Sequence, residues 1–224
     1  MASRIIYCPI WYPIVFGDFV KFTKKIAQGV AVSILVVGAL SACAANEPGA
    51  AAVFGDQRIT ESELNAEVQK RLAAQGLTPQ DSTLELNASI LTTMIIYSLL
   101  DELAVRESIT ASQGEIDSAR LERELAAGGA EQYEQSMAAS GVAVEDLDNI
   151  IRLGIIFNKI GEALAPGSPE ELKTQAIGVA VSELSVELGT EVSPRFGTWD
   201  PQSLSVGPVA NTVSEPLGIE LGQG

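Results

Sequence analysis

Apolar positions recur at helical spacing through most of the chain beyond residue 60. Leu64, Val68 and Leu72 stand four apart and predict a helix over about 61–75, which Gly76 stops. A longer helix follows, over about 83–107. Leu86, Ile90, Met94 and Tyr97 line one of its faces, and Leu91, Ile95, Leu99 and Leu103 line another. A helix apolar on two faces is buried on both, which makes this the expected central element. Ile116, Leu121 and Leu125 predict a third helix over about 113–127, broken at Gly128-Gly129. Tyr133 and Met137 mark a short one over about 130–139, broken at Gly141. Leu147, Ile150, Ile151, Phe157 and Ile160 mark a fifth over about 144–164, and a sixth runs to about 183.

Cap residues sharpen these boundaries. Thr60/Glu63, Ser82/Glu85 and Ser112/Glu115 all have the spacing of a capping box, and Ile59 with Leu64 has that of a hydrophobic staple. Ser168-Pro169-Glu170-Glu171 places serine at an N-cap, proline at the first helical position and glutamates in the first turn. Strand signals lie at the two ends of the helical run. Val53–Thr60 contains the turn pair Gly55-Asp56, Val186–Leu188 is strand-like, and Val192–Asp200 reads as a strand running into a Pro/Gly turn. Lone strands leave backbone groups unpaired, so the early and late segments are expected to pair with each other, joined by 186–188. Phe54, Phe196 and Trp199 would then rest on the long helix. The fold class is mostly α (α+β): a helical body closed by a small two- to three-stranded sheet drawn from both ends of the chain. Residues 53–200 form this domain. Residues 43–52 are small and polar, a tether, and 201–224 read as a flexible tail.

The N-terminus has a different pattern. Lys21, Lys24 and Lys25 precede an uncharged run from Ile26 to Leu40, too short for a membrane span but suited to the apolar core of an export signal. The run ends in Leu40-Ser41-Ala42-Cys43, small residues ahead of a thiol, which resembles a bacterial lipobox. Residues 1–42 are therefore expected to be removed and Cys43 lipidated with two or more acyl chains, palmitate among them. Residues 1–19 hold Pro9 and Pro13 and no period. Either they are a genuine extension or translation starts at Val20, which leaves no orphan segment.

Composition narrows the chemistry. The chain carries 29 Asp+Glu against 14 Lys+Arg, a net charge of −15. Removal of residues 1–42 takes four of the cations and one acid, leaving −18. Such a surface is a poor partner for nucleic acid or anionic lipid headgroups. There is no histidine, which excludes histidine-based triads and metal sites, and Cys8 would leave with the signal. Asp101-Glu102, Glu145-Asp146-Asp148 and Glu170-Glu171 are acidic clusters, but most of these positions are helix first turns, where negative charge is favoured by the dipole. No phosphate-binding loop or nucleophile elbow is present. Trp199 fits core or edge packing better than a binding site, and Arg195 is a candidate partner for a helix-borne carboxylate. No enzyme activity, cofactor, metal or small-molecule substrate is expected.

Two segments carry a resemblance. Ala52–Thr60, with Gly55-Asp56 ahead of a capped helix, and Val192–Asp200, with Pro194, Arg195, Phe196, Gly197 and Trp199, resemble the chaperone domain of the SurA/PrsA group of extracytoplasmic folding factors. That domain is similar to the C-terminal domain of trigger factor. The resemblance implies a strand before the helices and a returning strand of the form x-P-R-F-G-x-W. In the full family a parvulin-type isomerase domain is inserted between late helices. Here Ala165–Ser168 leaves no room for it, and its histidines are missing. The resemblance implies a chaperone that binds unfolded or partly folded secreted proteins; with the lipobox and the missing isomerase domain, the expectation is a lipid-anchored chaperone on the outer face of the cell membrane without isomerase activity. The alternative is an envelope adaptor or scaffold lipoprotein with one specific protein partner.

Overall fold

A computed structural model describes residues 48–209. The signal segment, the lipobox Leu40-Ser41-Ala42 and Cys43 lie outside the described residues. The chain enters through β1 (Ala50–Phe54) and turns at Gly55-Asp56 into β2 (Gln57–Thr60). The helices α1 (Glu61–Ala74), α2 (Leu84–Arg106), α3 (Gln113–Ala127), α4 (Ala130–Ala139), α5 (Leu147–Leu164) and α6 (Glu170–Glu187) follow. The chain returns in β3 (Glu191–Val192), β4 (Thr198–Asp200) and β5 (Ser205–Gly207).

β1 lies at the centre of an antiparallel sheet ordered β2-β1-β3. It pairs with β2 through the hairpin (Phe54 opposite Gln57) and with β3 from the far end of the chain, Ala52 opposite Val192 and Val53 opposite Glu191. The expected pairing of the two ends is therefore present. All five β1 residues are buried. A strand paired on both sides and covered on both faces has no polar edge to expose.

α2 is the central helix. It touches α1, α5, α6, β1 and β5, and Ile90, Leu91, Ile95, Leu99, Leu100 and Leu103 are buried in it. By length and composition this helix could cross a membrane, but here its apolar residues form the core of the domain. Phe54, Phe196 and Trp199 join the same core. The Thr60/Glu63 and Ser112/Glu115 capping boxes form as expected, each with serine or threonine receiving the Glu N–H and the glutamate receiving the cap N–H.

Several expectations are corrected. Val186–Leu188 is not a strand. α6 continues to Glu187, because Leu184 and Ser185 are buried on its inner face and hold the last turn in register, and Gly189 (φ 60°) ends it. The α2 cap is Thr83, whose hydroxyl accepts from Leu86 N–H, while Ser82 donates to Asn87. Another box, Thr78/Asp81, closes the short 3-10 turn before it. At α6, Pro169 occupies the cap position and Ser168 makes no capping bond, since α6 begins one residue later than the serine requires. The tether loses Ala50–Ala52 to β1. The segment read as a flexible tail contributes β5, which pairs with β4 from Thr198–Gly207 to Asp200–Ser205. Leu204 is 6% exposed, and Val206 N–H donates to Thr92 Oγ1 of α2 at 2.9 Å. Alternating Leu204 and Val206 bury one side of this strand, which gives it an energetic reason to dock.

Candidate functional site

The glycines and aromatics of the two end segments form the closure of the domain. Gly55 has φ 56°, and its N–H donates to Leu188 O at 2.7 Å, which ties the β1–β2 turn to the end of α6. A Cβ there would sit 3.1 Å from Leu188 Cδ2. Asp56 is the exposed second residue of that turn. Ser193 N–H donates to Ala51 O, and Phe196 N–H closes the Ser193-Pro194-Arg195-Phe196 turn on Ser193 O, both at 2.9 Å. Pro194 presets the φ this second turn position needs. Arg195 extends from the turn to Glu61 at the start of α1, at 2.7 Å, and lies over the Phe196 ring at 5.1 Å. It is thus the partner of a helix-borne carboxylate. Gly197 (φ 131°) lies against β5, where a Cβ would overlap the Gly207 carbonyl oxygen. Trp199 is buried and donates to Ser185 Oγ. None of these residues lines either of the two concave surfaces described next, and their contacts are those that close the fold.

Concave surface lies elsewhere. A groove of about 600 Å³ runs between the C-terminal half of α1 and the α4–α5 connection. Ala73 and Ala74 line one side, Ala138, Val142, Ala143 and Val144 the other, with Gln69, Lys70 and Glu145 as polar neighbours. Small side chains at these positions leave the space open. Lys70 and Val142 also line a second cavity of about 250 Å³, reaching Met94 and Tyr97 of α2 and Ile150 of α5. Lys70 is the post between the two. Its Nζ meets Glu67 at 2.9 Å and Asp146 at 2.7 Å, which fastens α1 to the turn before α5. Burial pushes its pKa down, but the hydrogen bonds to Asp146 and Glu67 outweigh that and hold it above the usual lysine value. Burial raises the Tyr97 phenol pKa, so this hydroxyl in the cavity wall is neutral beside the charged Glu67, Lys70, Arg71 and Asp146.

Five of the seven acidic-cluster carboxylates pair with cations, Glu145 and Glu171 being the exceptions. Asp101 takes both arms of Arg152, Glu102 takes Arg106, Asp146 takes Lys70, Asp148 takes Arg120, and Glu170 takes Lys173. Among the described residues no group of three Asp, Glu or Cys side chains is placed to hold a metal ion. The groove carries no paired acid and base and no activated nucleophile. Its chemistry is apolar contact with a charged margin. Sequence reasoning does not find it, because alanines in helices give no positional signal.

A family model described as the SurA-like N-terminal domain matches residues 19–161, more than half of the chain. The protein belongs to this family, a chaperone-type domain of extracytoplasmic folding factors. No curated protein and no solved structure matches the chain. The groove lies within the matched span, whereas α6 and β3–β5 lie beyond it.

Proposed function

We propose that the protein is a membrane-anchored holdase that takes apolar side chains of non-native secreted polypeptides into the α1/α4–α5 groove. The observation that carries this is the Ala- and Val-lined groove in a SurA-like domain. Its volume falls in the range of ordinary ligand sites, roughly 300–1,000 Å³. An extended client segment placing one or two apolar side chains there gains about 25 cal/mol per Å² buried, offset by the cost of association. Such binding is weak and reversible, as holding requires. Once residues 1–42 are removed, the net charge of −18 keeps the loaded complex soluble.

In this reading the chain acts without isomerase chemistry. Only Ala165–Pro169 separate α5 from α6, and the sequence contains no histidine. Lipidation at Cys43 supplies the anchor. Six residues, Ala44–Gly49, then separate the lipid from β1, a reach of at most about 22 Å at 3.3–3.6 Å per residue. The groove would be held close to where exported chains emerge.

The test is suppression of aggregation of a reduced, unfolded secreted protein, comparing wild type with Ala73→Glu. Ala73 is exposed, so the fold tolerates the change. Suppression by wild type and its loss in the variant support the reading. Equal suppression moves the site away from the groove, and no suppression by either favours the adaptor with one partner.

A further inference from the structure

The outer face of α6 is apolar where a surface helix is normally polar. Leu172, Val179 and Val186 are 52%, 45% and 63% exposed. They are seven residues apart, so at about 100° per residue they form a nearly straight row along the helix. The inner face is occupied by Ile177, Val181 and Leu184, which are buried against the body of the domain. The exposed row is thus not the edge of the core; it points away from it. Its length is about 21 Å at 1.5 Å per residue.

Carboxylates flank the row on both sides. Glu171 lies to one side and Glu183 to the other, and neither makes an ion pair or hydrogen bond within the described domain. The cations nearby are committed: Lys173 holds Glu162 and Glu170, and Arg106 holds Glu187. The face therefore presents a heptad-spaced apolar row bordered by uncompensated negative charge. A second copy of the chain would bring the same carboxylates against each other, and an anionic lipid surface would be repelled.

We propose that this face docks an amphipathic helix of a partner protein, with lysines or arginines bordering an apolar heptad row. A helix is the occupant proposed because an amphipathic helix can lay a narrow apolar stripe along this four-turn row while its basic flanks meet the glutamates. It is basic because Glu171 and Glu183 have no counter-charge of their own. The surface is separate from the α1/α4–α5 groove, so the proposal stands whether or not that groove holds clients.

The test uses two synthetic helical peptides of about 21 residues with an apolar heptad row, one bordered by lysines and one by glutamates. Binding to the full-length protein is measured by fluorescence anisotropy. The lysine peptide should bind at least ten-fold more tightly than the glutamate peptide. Val179→Glu should weaken it at least ten-fold, whereas Leu125→Glu, on the exposed face of α3, should leave it unchanged. The double variant Glu171→Lys/Glu183→Lys should invert the preference between the peptides. Each substituted side chain is exposed, so folding is preserved, and circular dichroism verifies that. Equal binding of the lysine peptide to wild type and both α6 variants overturns the proposal. So does sedimentation showing a wild-type dimer that Val179→Glu converts to monomer, which would make a second copy the occupant.

Discussion

Trp199 and Ser185 meet at 2.6 Å, the indole Nε1–H of β4 donating to the serine hydroxyl of α6. Both are buried, and Ser185 is the one buried polar side chain of the described core. The serine lies on the inner face of α6 because the tryptophan needs an acceptor there. The bond joins the last helix to the returning strand at the point where the domain closes.

Removing that acceptor leaves a buried N–H unsatisfied. Ser185→Ala is expected to cost about 1–3 kcal/mol by denaturant unfolding. In the background of Trp199→Phe, which removes the donor, the same substitution should cost much less. Equal costs in the two backgrounds would mean the pair does not interact.

The C-terminal hairpin is a structural element. A chain ending at Asp200 loses buried Leu204, the packing of Val206 and the bond from Val206 to Thr92. We expect a loss of about 2–5 kcal/mol, the scale of deleting one buried leucine side chain. Ending at Ser193 also removes Phe196 and Trp199 and should prevent stable folding of a marginal domain. Thermal melts of the two truncations against the full chain check the order.

Gly197 tolerates no side chain. Its φ of 131° is one that residues with a Cβ avoid, and the added carbon would collide with backbone at Gly207. Gly197→Ala should therefore destabilise more than Gly55→Ala, where φ is 56° and the neighbour is the flexible end of Leu188. A smaller shift in melting temperature for the Gly197 variant would contradict the β4–β5 packing.

Acid should loosen the α3 start. Lys159, at 2.6 Å, and the capping bonds with Ser112 hold the Glu115 carboxyl at about 2, against an ordinary 4.5. The folded state thus takes up this proton less readily than the unfolded chain. The contribution is complete above pH 4.5 and is lost as pH falls through about 2. Glu63 and Asp200 are lowered in the same direction, by Thr60 and by Ser203 with Gln202. Melting temperature should fall across that window, and Glu115→Gln should make the fall shallower.

Cys43→Ala tests the anchor. The variant is expected to leave the membrane fraction, or to stay uncleaved, and to incorporate no labelled palmitate. A processed, membrane-bound variant would rule out the lipid at Cys43.

The helical body was legible because its signals are local. Thr60 with Glu63 and Ser112 with Glu115 carry both halves of a reciprocal bond within four positions, and the two apolar faces of α2 identify a core helix without knowledge of its neighbours. The pairing of β1 with β3 was legible because strands isolated by helices must find each other. The misreadings concern elements whose state is decided by distant contacts. Val186 and Leu188 favour a strand by residue type, but Ser185 is held by Trp199, and the helix runs on. Ser205–Gly207 has a weak strand composition and becomes one by docking on Thr92. The groove is a gap left by alanines, and a gap has no residue to announce it.

β1 is among the first folded residues to emerge during synthesis, and its partner β3 is among the last. Its central place in the sheet cannot be filled until nearly the whole chain is available. Until Val192 is available, Ala50–Phe54 stays unpaired on one side, so the sheet closes only after all six helices have been made.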